Sequence, residues 1–559
     1  MKYAYLFEAR GIQRFLFATG KLKDMIAGSE LIDYICSEKG YVNQILEALH
    51  LKDTVKTPRI AGGVFYLIFD NKEDALRFQS VWRVASAQWL PGLERVDAMS
   101  EADTVKEVVS RGIRRLAEQR NKVQIELPNA SPITERSPRT GLAAVEHSNR
   151  EASGRETLDL STSILRNFER QDGESLTQRF VDDNEIHFPN NFEKDAKDDK
   201  RFPLGRRQLV GLIHADGNGL GEILRLLNDA CKEANDTTYE TLYKTFSQGI
   251  TTATIEATKV ATKNQLVEYR NENNVIPARP LVLGGDDLSV IVRADLAIDF
   301  TNAFLKAFKE SSKTQMAILK KAFEENNLSE NAKKLPNYLT ACAGIVFMKA
   351  SQPFYRAYGL AEDLCKQAKN YSRSHKKSDD STDKVEIIPS SIAFYKVNDS
   401  ILEDAKTMYA QTQIADHGEQ TYDLTLPAYL VDEHHEQLAN IEDLLRLQQH
   451  LSKSSLNDTT LRELATLIHA DIAQAKQVYR RWRNLAEKNE VNLSKQETKE
   501  RKDFIQFEND LTKLIGGLQK DLPVSLVNGQ KYHTVLGDLL SLITVSKEAG
   551  KSNKNSEVA

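Results

Sequence analysis

An α+β fold with two ferredoxin-like βαββαβ units and a helical C-terminal part is what this 559-residue sequence predicts, and three observations carry it. Two Gly-Gly hairpins with apolar, β-branched arms lie at Arg59–Asp70 and Leu281–Arg293. Each follows an apolar strand that runs into a glycine and then a helical stretch, at residues 3–12 and 209–221. Late in the chain helical spacing takes over, as at Leu461, Leu464, Leu467 and Ile468.

Taken in order, Tyr3-Ala-Tyr-Leu-Phe-Glu-Ala-Arg-Gly-Ile12 reads as strand, glycine and helix start. Setting Gly11 against Gly219 places Glu8 opposite Asp216, and the hairpin after it carries Val64 and Phe65 where the second copy has two acids. The first unit is therefore expected to have lost its metal hairpin. Residues 146–204 are polar and mixed, an insertion between the units. Leu209 to Asp216 is an apolar strand, followed by glycines and a helical run from Glu222 to Glu233. Helices are expected over 441–454, 458–488 and about 502–520, a polar loop over Lys376–Asp383, and a disordered tail over 546–559. The expected division is 1–128 first unit, 129–204 insert, 205–400 second unit, 401–545 helical domain with its helices from about 430, and the tail.

The chemistry concentrates at Leu281-Val-Leu-Gly-Gly-Asp-Asp-Leu-Ser-Val-Ile-Val-Arg293. Gly284 and Gly285 supply a tight turn that pushes Asp286 and Asp287 outward, the way palm-type nucleotidyl transferases hold metal. A hard divalent ion needs more oxygen ligands than one hairpin offers, and Asp216, at the end of the preceding strand, is the third acid. Gly217, Asn218, Gly219 and Leu220 then leave backbone groups at a helix N-terminus to meet a triphosphate. Alone, Gly-Gly-Asp-Asp is a surface turn, and Asp-Gly-Asn-Gly is a calcium-loop fragment lacking its closing Glu. Both at strand ends, in this order, point to a metal–nucleotide site.

Composition narrows the setting. With 28% charged and 40% hydrophobic residues, no apolar run of membrane-spanning length and no signal peptide, the chain reads as cytoplasmic. Cys36, Cys231, Cys342 and Cys365 are too dispersed for a zinc ribbon or a disulfide framework, and are expected as buried thiols. A net charge of −5 argues against gripping nucleic acid by bulk electrostatics. Arg480-Arg-Trp-Arg483 is read as a solvated helix face with a buried Trp482 rather than an RNA contact.

Further motifs resemble the large polymerase-like subunit, of Cas ten or Cmr type, of type III CRISPR effector complexes. Ile12-Gln-Arg-Phe-Leu-Phe-Ala-Thr-Gly-Lys-Leu-Lys-Asp-Met-Ile-Ala-Gly-Ser-Glu-Leu-Ile32 is similar to the family's opening palm segment, and the Gly-Gly-Asp-Asp hairpin to its second palm. Leu339-Thr-Ala-Cys-Ala-Gly-Ile-Val-Phe-Met, the helix from Pro353 to Lys369, and Ser390–Val397 resemble the rest of that palm, so the likeness runs over about 1–430. Two departures stand out. The chain starts in the first palm without the family's HD nuclease domain, and His469-Ala-Asp471 does not reproduce its metal pair. Pro132–Val145 resembles the flank of the inter-palm zinc module without the cysteines, so no zinc is expected.

The resemblance implies an RNA-activated cyclase that joins ATP into cyclic oligoadenylate, working with other type III subunits, guide RNA and target RNA, and no membrane. It implies Mg²⁺ or Mn²⁺ held by Asp216 and Asp286, with Asp287 as a further ligand or support, and ATP as substrate. Lys366 or Lys369 would bring positive charge to the phosphates, the family match favouring Lys369. Ser29 matches a position near the acceptor base, with Ser247 as its second-palm counterpart. Conjugation of AMP to a small molecule such as S-adenosylmethionine, and a non-catalytic scaffold, are the alternatives. A diguanylate cyclase is disfavoured by the tandem palm and the missing Glu-Phe after the hairpin.

Overall fold

The computed structural model describes residues 1–122, 130–150, 154–170, 175–192, 200–231, 235–374, 385–398, 404–432, 438–453, 458–487 and 495–548. The first unit runs β1 (Lys2–Arg10), α1 (Ile12–Phe17), α2 (Leu22–Ile35), α3 (Tyr41–Ala48), β2 (Lys56–Ala61), β3 (Val64–Phe69), α4 (Lys72–Trp89), β4 (Glu94–Ala102) and α5 (Val105–Arg120). Its antiparallel sheet has the order β2-β3-β1-β4, that of a ferredoxin-like unit. Side chains alternate across β1: Ala4 and Leu6 enter one core, Tyr5 and Phe7 the other. On the second face Phe7 stacks on Phe65 at 5.0 Å and both meet the edge of the buried Trp82 of α4.

The insert contributes the hairpin β5 (Ala144–Arg150) and β6 (Gly154–Asp159), then α6 (Leu160–Asn167). Arginines of α6 and of the segment after it form a strap along α2. Arg166 pairs with the fully buried Asp24, Arg170 with Glu30 at 2.9 Å and Asp33 at 2.7 Å, and Arg179 with Asp33 at 2.7 Å. The insert is thus held both by these ion pairs and by apolar anchors, Leu165, Leu176, Phe180 and Phe202, that are buried in the hydrophobic clusters of the palms.

The second unit repeats the first with additions: β7 (Leu209–Gly217), α7 (Leu220–Ala230), α8 (Asp236–Gln265), β8 (Ala278–Gly284), β9 (Asp287–Arg293), α9 (Ala297–Glu325), α10 (Ser329–Lys334), β10 (Ala341–Lys349), α11 (Phe354–Arg373) and β11 (Ser391–Lys396). The helix expected after Asp216 ends at Ala230 with Cys231 as its C-cap, the Cys231 N–H donating to the Leu227 carbonyl at 3.0 Å, and Lys232 and Glu233 of the expected run lie outside the described residues. The order β8-β9-β7-β10 matches the first sheet, and β11 adds in parallel beside β10. The repeat therefore extends to topology, and Gly11 and Gly219 occupy the same left-handed N-cap, at φ 57° and 72°.

The hairpins align one residue away from the sequence expectation. Ala61 pairs with Val64 as Gly284 pairs with Asp287, and Glu8 lies opposite Val64 where Asp216 follows the Ala215–Leu288 pair. Gly63 and Val64, rather than Val64 and Phe65, hold the places of Asp286 and Asp287. Matching the Gly-Gly dipeptides by eye overlooks that the first hairpin turns on both its glycines, Gly62 and Gly63, at φ 59° and 77°, whereas the second turns on Gly285 and Asp286.

The two units interlock. α2 packs on β8 and α8 on β2, so each palm lays a helix on the other's hairpin. A Cβ on Gly284 would come within 3.8 Å of the Gly62 Cα, so the two hairpins face each other closely. Lys56 meets Glu240 at 2.9 Å, and the Val105 N–H donates to Asp236 at 2.9 Å.

The C-terminal part contains α12 (Ala405–Thr412), β12 (Ile414–His417), β13 (Gln420–Asp423), β14 (Tyr429–Leu430), α13 (Ile441–Lys453), α14 (Asp458–Ala470), α15 (Ile472–Glu487), α16 (Lys495–Ile515), β15 (Ser525–Asn528), β16 (Lys531–His533) and α17 (Leu536–Ser546). β14 edges the second palm's sheet, while β12-β13-β16-β15 form a small sheet that the helical expectation missed. Strands of three or four residues, turned at Gly418 and Gly529, are too short for a two-residue period to register. Asp471 separates α14 from α15 by capping the Ala473 and Gln474 amides, and His469 lies 3.1 Å from the Thr412 carbonyl, so both serve the fold. Arg480 is paired with Asp521, Arg483 bonds the Lys520 carbonyl, and Trp482 is half-buried against Tyr479 and Phe504. Within the expected tail, Ser546 closes α17 and Glu548 is fully buried, accepting from the amides of Arg207 and Leu209 at 2.8 and 3.0 Å at the start of β7. The Lys376–Asp383 loop and residues 549–559 lie outside the described residues. Among the described residues no helix is long and apolar enough to cross a membrane, and the four cysteines are free thiols, three buried and Cys36 half-buried.

Candidate metal and nucleotide site

β7 and the β8–β9 hairpin bring three carboxylates together. One oxygen from each of Asp216, Asp286 and Asp287 lies within 4.8 Å of the others, the separation a shared cation would bridge. Asp216 is the penultimate residue of β7, Asp287 opens β9, and Asp286 sits in the two-residue turn between Gly284 and Asp287. Gly285, at φ 61°, takes the first central position, where a side chain would be strained. Gly217 is required for packing: a Cβ there would stand 2.9 Å from the Asp286 Cβ and 3.0 Å from its Oδ2.

Electrostatics separates the three acids. Burial raises the Asp216 carboxyl, but the Lys369 charge and a hydrogen bond with Asp286 outweigh it and hold it below the usual range. Burial, then the hydrogen bond and charge of Asp216, push Asp286 up to about 7. Burial, then the charges of Asp286 and Asp216, push Asp287 up to about 8. Burial and the crowding of like charges both disfavour ionised carboxylates here, and a bound cation would offset both. Hard oxygen donors, their excess negative charge and the absence of room for a Cβ at 217 all fit a divalent ion. His214, two residues before Asp216, is pushed down to about 4 by burial and stays neutral 3.1 Å from the Ser289 hydroxyl.

Of the two candidate lysines, Lys369 reaches the cluster. Its Nζ pairs with Asp216 and donates to the Gly217 carbonyl at 2.8 Å, whereas Lys366 is exposed and 3.5 Å from Asp363. The first palm repeats the arrangement with Arg120, at the end of α5, paired to Glu8.

The remaining site candidates fall into two groups. Gly219 caps α7 and its carbonyl accepts from the Glu222 amide at 3.0 Å, which leaves the Leu220 and Gly221 amides of the first turn without intrahelical acceptors. The Asn218 side chain instead turns inward, bonding Thr340 at 3.1 Å, and its N–H donates to the Thr340 carbonyl at 2.8 Å, which ties the loop to β10. Ser29 is buried, with its hydroxyl bonded to the Leu281 carbonyl of β8. Ser247 is half-buried on α8 and its carbonyl accepts from Thr251. The α8 side chain that does reach the hairpin is Thr254, whose hydroxyl lies 2.7 Å from the Gly285 carbonyl. Sequence reading passed over it because α8 is rich in threonine, and helical spacing alone does not say which one meets a turn far along the chain.

Two facing βαββαβ units, the second with two carboxylates on its hairpin and a third on the neighbouring strand, define a protein of tandem ferredoxin-like, palm-type units. Residues 209–377 match the family model of the Cas10/Cmr2 second palm domain, so the chain carries that domain. No curated protein matches the sequence. Among solved structures, a Csm1–Csm4 cassette in complex with cA4 aligns over 66% of this chain and 53% of its own, at 16% identity and TM-score 0.37. A Csm1–Csm4 cassette in complex with cA3 aligns over 98% and 69%, at 12% identity and TM-score 0.43. Csm1 of T. onnurineus aligns over 69% and 55%, at 15% identity and TM-score 0.38. The chain thus spans about half the length of the first of these.

Proposed function

We propose that this chain is the signalling subunit of a type III CRISPR antiviral complex, a target-RNA-activated, metal-dependent nucleotidyl cyclase that converts ATP to cyclic oligoadenylate. The observation that carries the reading is the convergence of Asp216, Asp286 and Asp287 within 4.8 Å, inside the segment that matches the Cas10/Cmr2 second palm. In this reading the partners are the other complex subunits, guide RNA and target RNA.

Asp216 and Asp286 would hold Mg²⁺ or Mn²⁺, with Asp287 as a further ligand or support. A divalent ion held by these carboxylates would lower the pKa of the acceptor ribose 3′-hydroxyl and offset charge on the α-phosphate and departing pyrophosphate. The protein's own work is positioning. The first-turn amides of α7 orient the donor phosphates, and Gly217 leaves room for the Asp286 carboxylate to stay close to β7. Lys369, 14% exposed, keeps Asp216 ionised and places a positive charge beside the phosphates. His214 remains neutral and adds nothing to the charge of the cluster. In the first palm, where Glu8 is neutralised by Arg120 and Gly63 and Val64 replace two acids, a nucleotide would be bound without metal activation.

The test is product analysis. The chain is co-expressed with its complex subunits and guide RNA, then given ATP, Mg²⁺ and matching target RNA, beside an Asp286→Ala/Asp287→Ala control, with products read by mass spectrometry. Target-dependent cyclic oligoadenylate that disappears in the control is expected. An AMP conjugate of another small molecule would assign a different acceptor, and an assembled, RNA-bound complex with no nucleotide product would leave a scaffold.

A further inference from the structure

The metal hairpin is braced along its open edge by side chains from elsewhere in the chain. Among the described residues β8 is the last strand of its sheet, and the carbonyls that point away from β9 have no strand partner there. With Gly284 and Asp287 as the closing pair, the Leu281 and Leu283 carbonyls are the ones that face outward. Ser29 of α2 donates to the first, and Arg179 of the strap, held by Asp33, approaches the second at 3.5 Å. At the tip, the Thr254 hydroxyl of α8 stands 2.7 Å from the Gly285 carbonyl and 2.9 Å from the Ile250 carbonyl in its own helix.

Thr251 and Thr258 donate back to their own helix, at 3.1 and 2.7 Å, whereas the single Thr254 proton has a carbonyl outside the helix at 2.7 Å, closer than the Ile250 carbonyl at 2.9 Å. Thr254 is 1% exposed. The Gly285–Asp286 peptide is the centre of the turn, and a peptide is planar, so holding its carbonyl fixes the plane from which the Asp286 backbone leaves. Gly285, at φ 61°, lacks a side chain to restrict its backbone and would otherwise let that plane rotate.

We propose that Thr254 is a positioning residue for the divalent-cation site, its hydroxyl fixing the Gly285–Asp286 peptide and through it the direction of the Asp286 and Asp287 carboxylates. The inference rests on the functional reading above and deepens it. The hairpin is then set by α8 at its tip and by the first palm and strap along its edge.

The experiment measures Mn²⁺ binding to the full chain by electron paramagnetic resonance, together with thermal unfolding in EDTA. Thr254→Val keeps the volume and removes the hydroxyl, and is expected to weaken Mn²⁺ binding about tenfold, the size typical of groups that orient metal ligands. Thr254→Ser, which restores the hydroxyl, is expected to bind as the unaltered chain does. Thr251→Val, which loses only the bond within the helix, is expected to leave affinity unchanged. Unaltered affinity in Thr254→Val would overturn the inference while leaving the metal site standing, as would equal weakening by Thr254→Ser. An unaltered chain that binds no Mn²⁺ would remove both the metal site and this inference.

Discussion

Substituting alanine for Gly217 presses directly on the proposed site. The added methyl would stand 2.9 Å from the Asp286 Cβ, 3.0 Å from its Oδ2 and 3.0 Å from the Leu220 Cδ1. Comfortable carbon contacts need about 3.5 Å or more, so neighbouring groups must separate by about half an ångström. Asp286 sits in a two-residue turn and Leu220 opens α7, so the carboxylate is the part that yields. Overpacking of this kind costs about 1–3 kcal/mol of stability. A misplaced metal ligand should weaken Mn²⁺ binding on the order of tenfold and lower turnover on the order of 10²-fold. Gly219→Ala is the matched control: its Cβ meets nothing within 4 Å, but φ is 72°, so it should cost about 1–2 kcal/mol of stability without moving an acid. Thermal unfolding and Mn²⁺ titration of both variants separate the effects. If Gly217→Ala bound Mn²⁺ as well as Gly219→Ala, the packing of Gly217 against Asp286 would have no part in metal binding.

Three more outcomes rest on the same geometry. Asp538, buried in α17 and accepting from the Leu426 amide and the Tyr429 hydroxyl, is pushed by burial from 3.8 up to about 7. The folded state therefore binds this proton more tightly than the unfolded one, and stability contributed below pH 4 is lost as pH rises to about 7. The loss is about 4 kcal/mol, and Asp538→Asn should remove it from a pH series of urea melts. Asp287→Asn relieves carboxylate crowding and should raise the melting temperature in EDTA while weakening Mn²⁺ binding, a pair of shifts that calorimetry and metal titration can read together. Lys369→Met, leaving Asp216 without its cation, should abolish ATP turnover, whereas Lys366→Met, at an exposed pair with Asp363, should leave the rate within about twofold, by product chromatography.

Much of the second palm was legible because strong local signals coincide there. Apolar strands end at acids, glycines follow, and the spacing between Asp216 and the hairpin matches a βαββαβ order. The hidden parts depend on contacts between distant segments. The sequence offers no local reason to single out Thr254 among the threonines of α8, since which one meets the hairpin depends on how α8 rotates against it. Ser29 falls in a recognisable segment, yet its hydroxyl is bonded to β8 because the palms exchange helices. The one-residue difference between the hairpins comes from strand register, which a Gly-Gly match leaves undetermined. The arginine strap was read only as a polar insertion because its partners, Asp24, Glu30 and Asp33, lie on a helix more than a hundred residues away.

The central claim, that three carboxylates from two strands form one divalent-cation site, is tested most directly by anomalous scattering. Crystals grown with Mn²⁺ and a non-hydrolysable ATP analogue should give a manganese peak about 2.1 Å from carboxylate oxygens of Asp216 and Asp286, and Asp286→Asn crystals should lose it. A peak elsewhere on the chain, or a nucleotide bound in the second palm with no manganese between these acids, would contradict the account.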